Sequence, residues 1–253
     1  ANWSLGSWKF FLGRWIVTPN LRFKYYLAVA LDKIGLSQRA GEAIKRTGFD
    51  AFGHFFKNDQ ELFISEARKQ FPRTDADIVG MFIRSSAELA AGNYKDAIKY
   101  LESSPFCDNC AGLIYSYFQV GHTELAEQLL KQRKEQYRTD LEAGVRYTYG
   151  SPSVIPMGFE AMDLALLEGD IDKAIQHLQT AIRNGVPLTS EIRHWHMYQQ
   201  LRNHPKWPSI RDTNDKRMAE QRDIYLKLVA EQDEFSTASW LSRLNLLVVS
   251  LNS

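Results

Sequence analysis

Cys107 and Cys110 have the residue types and spacing that most directly suggest chemistry. They are the only two cysteines among 253 residues, and they precede a predicted helix. A thiol at a helix N-terminus has its thiolate stabilised by free backbone N–H groups and the helix dipole. The pair therefore predicts a local disulfide or two buried thiols, a redox sensor, or half of a zinc site. A zinc site needs two further ligands, of which His122 is the nearest imidazole.

The other reactive side chains form no recognisable catalytic motif. No two histidines have the i, i+4 spacing that would place two imidazoles on one helix face. Phosphate-binding loops of the GxxxxGK[ST] or GxGxxG type, GxSxG elbows and HExxH motifs are absent. The sequence therefore predicts a protein that is not an enzyme and holds no cofactor or metal. An all-α enzyme whose acidic site is assembled only in the fold is the alternative.

Charge and hydropathy narrow the class of partner. The formal net charge is +1, from 31 basic and 30 acidic residues, so no positive field favours nucleic-acid binding. No apolar run approaches the length of about 20 residues that spans a bilayer. Five apolar residues share one face of a short predicted N-terminal helix: Trp8, Phe11, Leu12, Trp15 and Ile16. This face predicts a capping helix or, alternatively, an anchor that brings the chain close to a membrane.

Helical periodicity dominates the chain, and strand patterns are few. Glycine and proline residues punctuate the helical patterns. Helices are predicted over residues 21–34, 37–46, 59–71, 75–91, 93–103, 109–120, 123–142, 157–168, 170–184, 190–203, 209–232 and 236–250. The sequence therefore predicts an all-α fold.

One spacing recurs four times along these helices. A glycine is followed by an alanine five residues later and by an aliphatic residue nine residues later. The four sets are Gly35/Ala40/Ile44, Gly92/Ala97/Leu101, Gly121/Ala126/Leu130 and Gly169/Ala174/Leu178. A glycine that ends one helix, followed by a small residue where the next helix crosses its partner, is typical of helical hairpins. Hairpins with an exposed apolar face stack on their neighbours.

This pattern resembles the tetratricopeptide repeat. The matching segments are residues 27–46, 87–104, 114–133 and 162–185, and the intervals between their glycines indicate degenerate repeats, with a further repeat expected between 46 and 82. The resemblance implies an α-solenoid of antiparallel helix pairs over residues 21–204. An N-terminal segment over 1–20 and capping helices over 205–253 complete the expected organisation.

The resemblance also implies which side chains line the concave surface that binds a protein or peptide. The expected groove residues are Tyr25, Val29, Asp32, Phe82, Tyr115, Phe118, Gln119, Phe159 and Asp163. The alternative for each of these side chains is packing between helices. Four positions lack the lysine with which some members of the family grip a terminal carboxylate, so we expect an apolar segment as the partner. Those positions are Tyr25, Phe82, Ala111 and Phe159.

Residues 201–228 loosely resemble the end of the tetratricopeptide region in bacterial membrane-anchored winged-helix regulators. The resemblance depends on the phrase LRNHPKW and the charged helix after it. It implies the extracytoplasmic, periplasmic part of a larger signalling or assembly protein, an expectation that the CxxC pair and the missing initiator Met also favour over a cytoplasmic domain. The leading hypothesis is thus an interaction scaffold. The alternative is a redox- or ligand-responsive sensor that uses Cys107 and Cys110.

Overall fold

The computed structural model describes residues 19–45, 50–57, 59–72, 78–104, 107–145, 147–150 and 153–230. The predictions for the N-terminal aromatic face and for a helix over 236–250 lie outside these residues. The helices are α1 (Pro19–Lys33), α2 (Ser37–Ala43), α3 (Asp50–Phe56), α4 (Gln60–Gln70), α5 (Ile78–Ala90), α6 (Tyr94–Glu102), α7 (Ala111–Gln119), α8 (Thr123–Glu142), α9 (Met157–Leu167), α10 (Ile171–Arg183), α11 (Ser190–His194), α12 (Gln199–Arg202) and α13 (Trp207–Ala230). A 3₁₀ turn, His196–Tyr198, separates α11 from α12.

Consecutive helices pack against each other from α1 through α10. Glycines with positive φ end the first helix of four hairpins, at Gly35, Gly92, Gly121 and Gly169. At Gly92 the left-handed backbone lets its N–H bond to the Leu89 carbonyl at 3.2 Å, while the Asn93 N–H bonds to the Glu88 carbonyl at 2.9 Å. The two bonds satisfy carbonyls that the end of α5 would otherwise leave free. The helical character expected from the sequence is confirmed.

A fifth pair, α3 and α4, lies in the interval where an additional repeat was expected. Its connection uses no glycine. Instead, the Asp59 carboxylate accepts a hydrogen bond from the Leu62 N–H at 3.3 Å and caps α4. The pair is joined to α5 by packing between α4 and α5.

The alanines of the recurring pattern face neighbouring helices and not solvent. Ala97, Ala126 and Ala174 each have an exposed fraction of 0%. Small side chains at these positions allow close helix crossing, and the aliphatic residues Leu101 and Leu178 are buried beside them. The predicted packing of helices against their neighbours is therefore confirmed.

The only β-strands in the described residues form a hairpin between α8 and α9. Strands β1 (Tyr147–Gly150) and β2 (Ser153–Pro156) pair antiparallel, with Tyr147 opposite Pro156. Both strands contain the aromatic or β-branched residues that favour extended backbone. They are four residues long, too short for an alternating pattern to stand out in the sequence.

Three hydrophobic cores follow one another along the chain. The first joins α1 to α5 and includes Tyr225 of α13. The next core along the chain lies between α5, α6, α7 and α8, and we call it the third core. The last along the chain lies between α9, α10 and the short helices after them, and we call it the second core. Within the ranges described, no helix has the length and apolar content needed to cross a bilayer.

A buried carboxylate joins α4 to α5. The side chain of Glu88 has an exposed fraction of 0% and accepts hydrogen bonds from Arg68 at 2.7 and 3.0 Å, Arg84 at 2.7 Å and Asn93 at 3.1 Å. Burial alone would raise the pKa of Glu88, but the bonds from the two arginines outweigh burial and hold the pKa below its usual value.

Helices α2 and α3 cross at two glycines, Gly41 and Gly53. A Cβ atom added at position 41 would lie 2.9 Å from the carbonyl oxygen of Gly53 and 2.4 Å from Cε of Lys57. Because a backbone atom cannot move aside cheaply, we expect Gly41→Ala to lower the free energy of unfolding by about 1–3 kcal/mol. Urea denaturation measures this change.

Gly112→Ala is the matched control for this prediction. Its added Cβ would meet the flexible Leu89 side chain, with Cδ1 at 3.0 Å, and its three nearest contacts are all side-chain atoms. Replacing a helical glycine by alanine also gains about 1 kcal/mol in helix propensity. Equal losses in the Gly41 and Gly112 variants would contradict a backbone contact between α2 and α3.

Candidate functional site

The predicted groove residues are divided among the three cores. In the first core Phe82 is buried and Val29 packs against it from outside. In the second core Phe159 is buried and Tyr115 packs against the core. Phe118 packs against the third core. Asp32 and Asp163 are buried, Gln119 is exposed, and the side chain of Tyr25 lies outside the described part of the structure. The burial of the aromatic residues favours the alternative role in interhelical packing. Tyr115, Phe159 and Asp163 are associated with the second core or its helices. Val29, Asp32 and Phe82 are associated with the first core or its helices.

Residues 189–198, here called the junction segment, return to α1. The hydroxyl of Ser190 donates to Oδ2 of Asp32 at 2.5 Å, and the hydroxyl of Ser37 donates to Oδ1 at 2.9 Å. Burial raises the pKa of Asp32, and these two bonds partly offset the rise. Both oxygens of this buried carboxylate therefore have partners.

The junction segment also contacts α3 and the turn between α5 and α6. The ring of His194 lies edge-on to Phe55, with centroids 6.2 Å apart. Burial lowers the pKa of His194 to about 4, with Arg193 contributing. A Cβ added at Gly92 would lie 3.1 Å from Nδ1 of His196. The segment thus crosses elements that are far apart in sequence.

Trp195 lies at the centre of the junction segment and packs against all three cores. Its ring stacks on Tyr198, with centroids 6.5 Å apart and planes 16° from parallel. Arg202 donates to the carbonyls of Ile192 and Trp195 at 2.9 and 2.8 Å, which fixes the end of α11. The indole N–H of Trp195 is buried without a hydrogen-bond partner.

Asp163 of α9 contributes the second unpartnered atom, Oδ1. Among the described residues, these two are the only buried side-chain nitrogen or oxygen atoms without a partner. Burial raises the pKa of Asp163 well above its usual value, and the nearby Glu160 adds to the rise. A hydrogen bond from Tyr198 and the charge of Arg133 act in the opposite direction. Arg133, however, is bound by Glu160 at 2.5 and 2.7 Å.

Two half-buried tyrosines lie beside this region. Tyr94 and Tyr115 meet edge to face, with ring centroids 5.5 Å apart. Tyr94 and His196 both lie beside Gly92. A Cβ atom built on Gly92 would be 3.8 Å from the Tyr94 hydroxyl. We name the following five residues the junction site: Tyr94, Tyr115, Asp163, Trp195 and Tyr198. The site combines aromatic surface with one buried carboxylate that has a free acceptor.

Cys107 and Cys110 form a disulfide, with Cα atoms 4.9 Å apart. Cys107 is buried, and the half-buried Cys110 directly precedes α7. Between them, Asn109 accepts a hydrogen bond from Arg133 at 3.5 Å. The oxidised pair is the local disulfide that was one interpretation of the sequence.

No group of three or more His, Cys, Asp or Glu residues in the described ranges is placed to hold a metal ion. Comparison of the chain with protein-family models, curated proteins and solved structures finds no match. The candidate site is therefore defined by its own geometry.

Trp195 and Tyr198 were not among the predicted site residues. The run Trp195-His196-Met197-Tyr198 carries three large residues of which Met197 and Tyr198 are buried. Such a density of large side chains between short helices is a usable signal for a packing centre. It does not reveal which core the residues join, because the contacting helices lie far away in sequence.

The raised pKa of Asp163 predicts a pH-dependent stability. The folded state keeps a proton that the unfolded state releases, so this contribution is complete below the unfolded pKa of about 3.9 and is lost as pH rises through the folded pKa. We expect Asp163→Asn to flatten the fall in unfolding free energy that occurs between the unfolded pKa of about 3.9 and the raised folded pKa, by at most about 1.4 kcal/mol per pH unit. Urea denaturation at several pH values measures the slope. Asp212→Asn, on the exposed face of α13, should leave the slope unchanged.

Proposed function

We propose that the chain is a non-catalytic interaction module, a tetratricopeptide-like α-solenoid that binds a segment of another protein at the junction site. The pairing of consecutive helices and the buried alanines of the recurring pattern support the solenoid. The site supports binding because two of its buried polar atoms, Oδ1 of Asp163 and Nε1 of Trp195, have no hydrogen-bond partner among the described residues.

The observation that carries this proposal is the partial exposure of Tyr94, Tyr115 and Trp195. Each covers one or more cores yet remains half-buried, so each retains aromatic surface that a partner can cover. Rigid aromatic side chains supply contact area at a small cost in conformational entropy and are enriched where binding energy is concentrated. The near-neutral net charge gives no support to nucleic acid as the partner.

A secreted or periplasmic location forms part of the proposal, with the chain as the extracytoplasmic part of a larger signalling or assembly protein. The disulfide between Cys107 and Cys110 supports this location, because disulfides persist in oxidising compartments. Expression of the chain with and without an export signal, followed by mass measurement of its thiols, tests it. A chain that performs its binding only with reduced thiols would contradict the location.

Selection of binders from a random peptide library displayed on phage tests the function. We expect selected peptides to lose at least about thirtyfold in affinity for the Tyr94→Ala/Tyr115→Ala double variant, the loss typical of removing a binding hot spot. Tyr137→Ala is the matched control, since this half-buried tyrosine lies on α8 outside the junction site. Failure to select any peptide, or equal binding to all three proteins, would refute the proposal.

The disulfide favours a second candidate, a redox sensor. Oxidation closes a four-residue loop in front of α7, and the loop residue Asn109 contacts Arg133, the partner of Glu160 on α9. If the pair is a sensor, reduction should change the affinity of the selected peptides. If it is structural, reduction should only lower the unfolding free energy, by about 2 kcal/mol for so short a loop. Calorimetry with oxidised protein and with the Cys107→Ser/Cys110→Ser variant separates the two.

A further inference from the structure

The two buried carboxylates that face the junction segment differ in one respect. Asp32 uses both oxygens, since Ser37 and Ser190 each donate to one of them. Tyr198 lies near Asp163 and lowers the pKa of its carboxyl, but Oδ1 of Asp163 has no hydrogen-bond partner. A buried acceptor without a donor costs free energy, and such groups in native proteins call for an explanation such as a ligand or a water molecule.

Among the described residues, no cation is placed to neutralise Asp163. Arg133, whose charge lowers the pKa of Asp163, donates from Nε and Nη2 to the two oxygens of Glu160 and from Nη1 to Asn109. Glu160 itself lies one helical turn before Asp163 and repels its charge. An ionised Asp163 would therefore need a positive charge from outside the described residues.

The surroundings of Asp163 suit a cation. Tyr198 joins the carboxylate to the stacked ring of Trp195. Aromatic faces attract ammonium and guanidinium groups, most strongly where water is excluded. A neutral polar ligand would gain binding free energy only from a hydrogen bond to the free acceptor. A cation would gain it from the carboxylate and from the aromatic rings together.

We propose that Asp163 is the anchor for a lysine or arginine side chain presented by the bound protein segment. This inference rests on the proposed function and adds the chemistry of the anchoring residue. The cationic group donates to Oδ1 of Asp163 while its methylene chain covers the half-buried ring of Trp195. On binding, the protonated carboxyl of Asp163 loses its proton to solvent, and the carboxylate pairs with the incoming cation. Glu160, Arg133, Tyr198 and, more distantly, Glu191 are the charged or titratable groups facing the exchange.

Small probes test the anchor without a peptide. Butylammonium and methylguanidinium chlorides are titrated into the intact chain at constant ionic strength, with butanol and sodium acetate as uncharged and anionic controls. The indole ¹⁵N–¹H signal of Trp195, assigned with Trp195→Phe, is the readout. We expect a saturable shift with both cations and neither control. Asp163→Asn should weaken cation binding at least about tenfold, as the loss of a charged hydrogen bond implies, and Asp32→Asn should not weaken it.

Calorimetry on the wild-type chain keeps the test valid if a variant fails to fold. Binding in two buffers of different ionisation enthalpy should show release of up to one proton per cation, and tighter binding as pH rises from 5 to 8. Identical responses to butanol and butylammonium, or no saturable shift, would overturn the proposal and leave an internal water as the partner of Oδ1.

The outcome is separable from that of the proposed function. Library peptides that bind the junction site without any basic residue, and equally to Asp163→Asn, would refute the anchor and leave the interaction module standing. Saturable binding of butylammonium at Asp163 without any selectable peptide would refute the interaction module and leave a cation site.

Discussion

Trp195→Ala is expected to lower the free energy of unfolding by up to about 3 kcal/mol, the lower end of the range for large aromatic side chains, because Trp195 is only half-buried. The indole packs against all three cores, so its loss opens a cavity where they meet. We also expect the single unfolding transition to separate into two, because the first core loses a contact with the other two. Urea denaturation followed by circular dichroism and by tyrosine fluorescence would detect the separation.

Trp207→Ala is the matched control for this variant. Trp207 is also a half-buried tryptophan, but it packs against the second core alone. Its removal should cost less and should preserve coincident transitions from the two probes. Equal losses of stability in both variants, each with a single transition, would show that Trp195 does not couple the cores.

Glu88→Ala is expected to cost about 3–5 kcal/mol, the typical loss when one partner of a buried ion pair is removed. The variant removes the acceptor for Arg68, Arg84 and Asn93 at the contact between α4 and α5. Arg68 can turn towards solvent, but the side chain of Arg84 has an exposed fraction of only 12% and would keep its charge partly buried. Thermal and urea denaturation would measure the loss.

Glu42→Ala is the control for Glu88. Glu42 also pairs with two cations, Lys45 and Lys57, but it is exposed, and exposed pairs contribute little to stability. The lowered pKa of Glu88 gives a second test. Its contribution is present above the unfolded pKa of about 4.3 and is lost as pH falls through the folded pKa, so the difference between wild type and Glu88→Ala should shrink in acid. A difference independent of pH would refute the ion-pair explanation.

Much of the helical organisation could be predicted from local residues. The helix predicted over 157–168 is found as Met157–Leu167, because Gly169, which has a positive φ, ends it. Helix α3 was not predicted, since the sequence DAFGHFF is apolar on most sides and seven residues long, which leaves no amphipathic period to detect. The β-hairpin was missed because each strand is only four residues long.

The candidate site could be predicted only in part. Tyr115 and Asp163 follow from the repeat resemblance and lie at the junction site, although the other groove residues are spread over three cores. The free oxygen of Asp163 depends on which donors surround it, and Tyr198 reaches it from a segment 35 residues later. No local sequence pattern predicts the contact between Tyr198 and Asp163. Trp195 likewise gains its importance from contacts between distant helices.

The hydrogen bond between Asp32 and Ser190 joins residues that are 158 positions apart. A linear array of hairpins can form one unit after another as the chain leaves the ribosome, but this fold is completed only once residue 190 and the turn after it have emerged. Closing so long a loop is slow, and surfaces of the first core stay uncovered until then. The contact between Asp32 and Ser190 should therefore form late in biosynthesis. Until it forms, chaperones and proteases can reach the nascent N-terminal half.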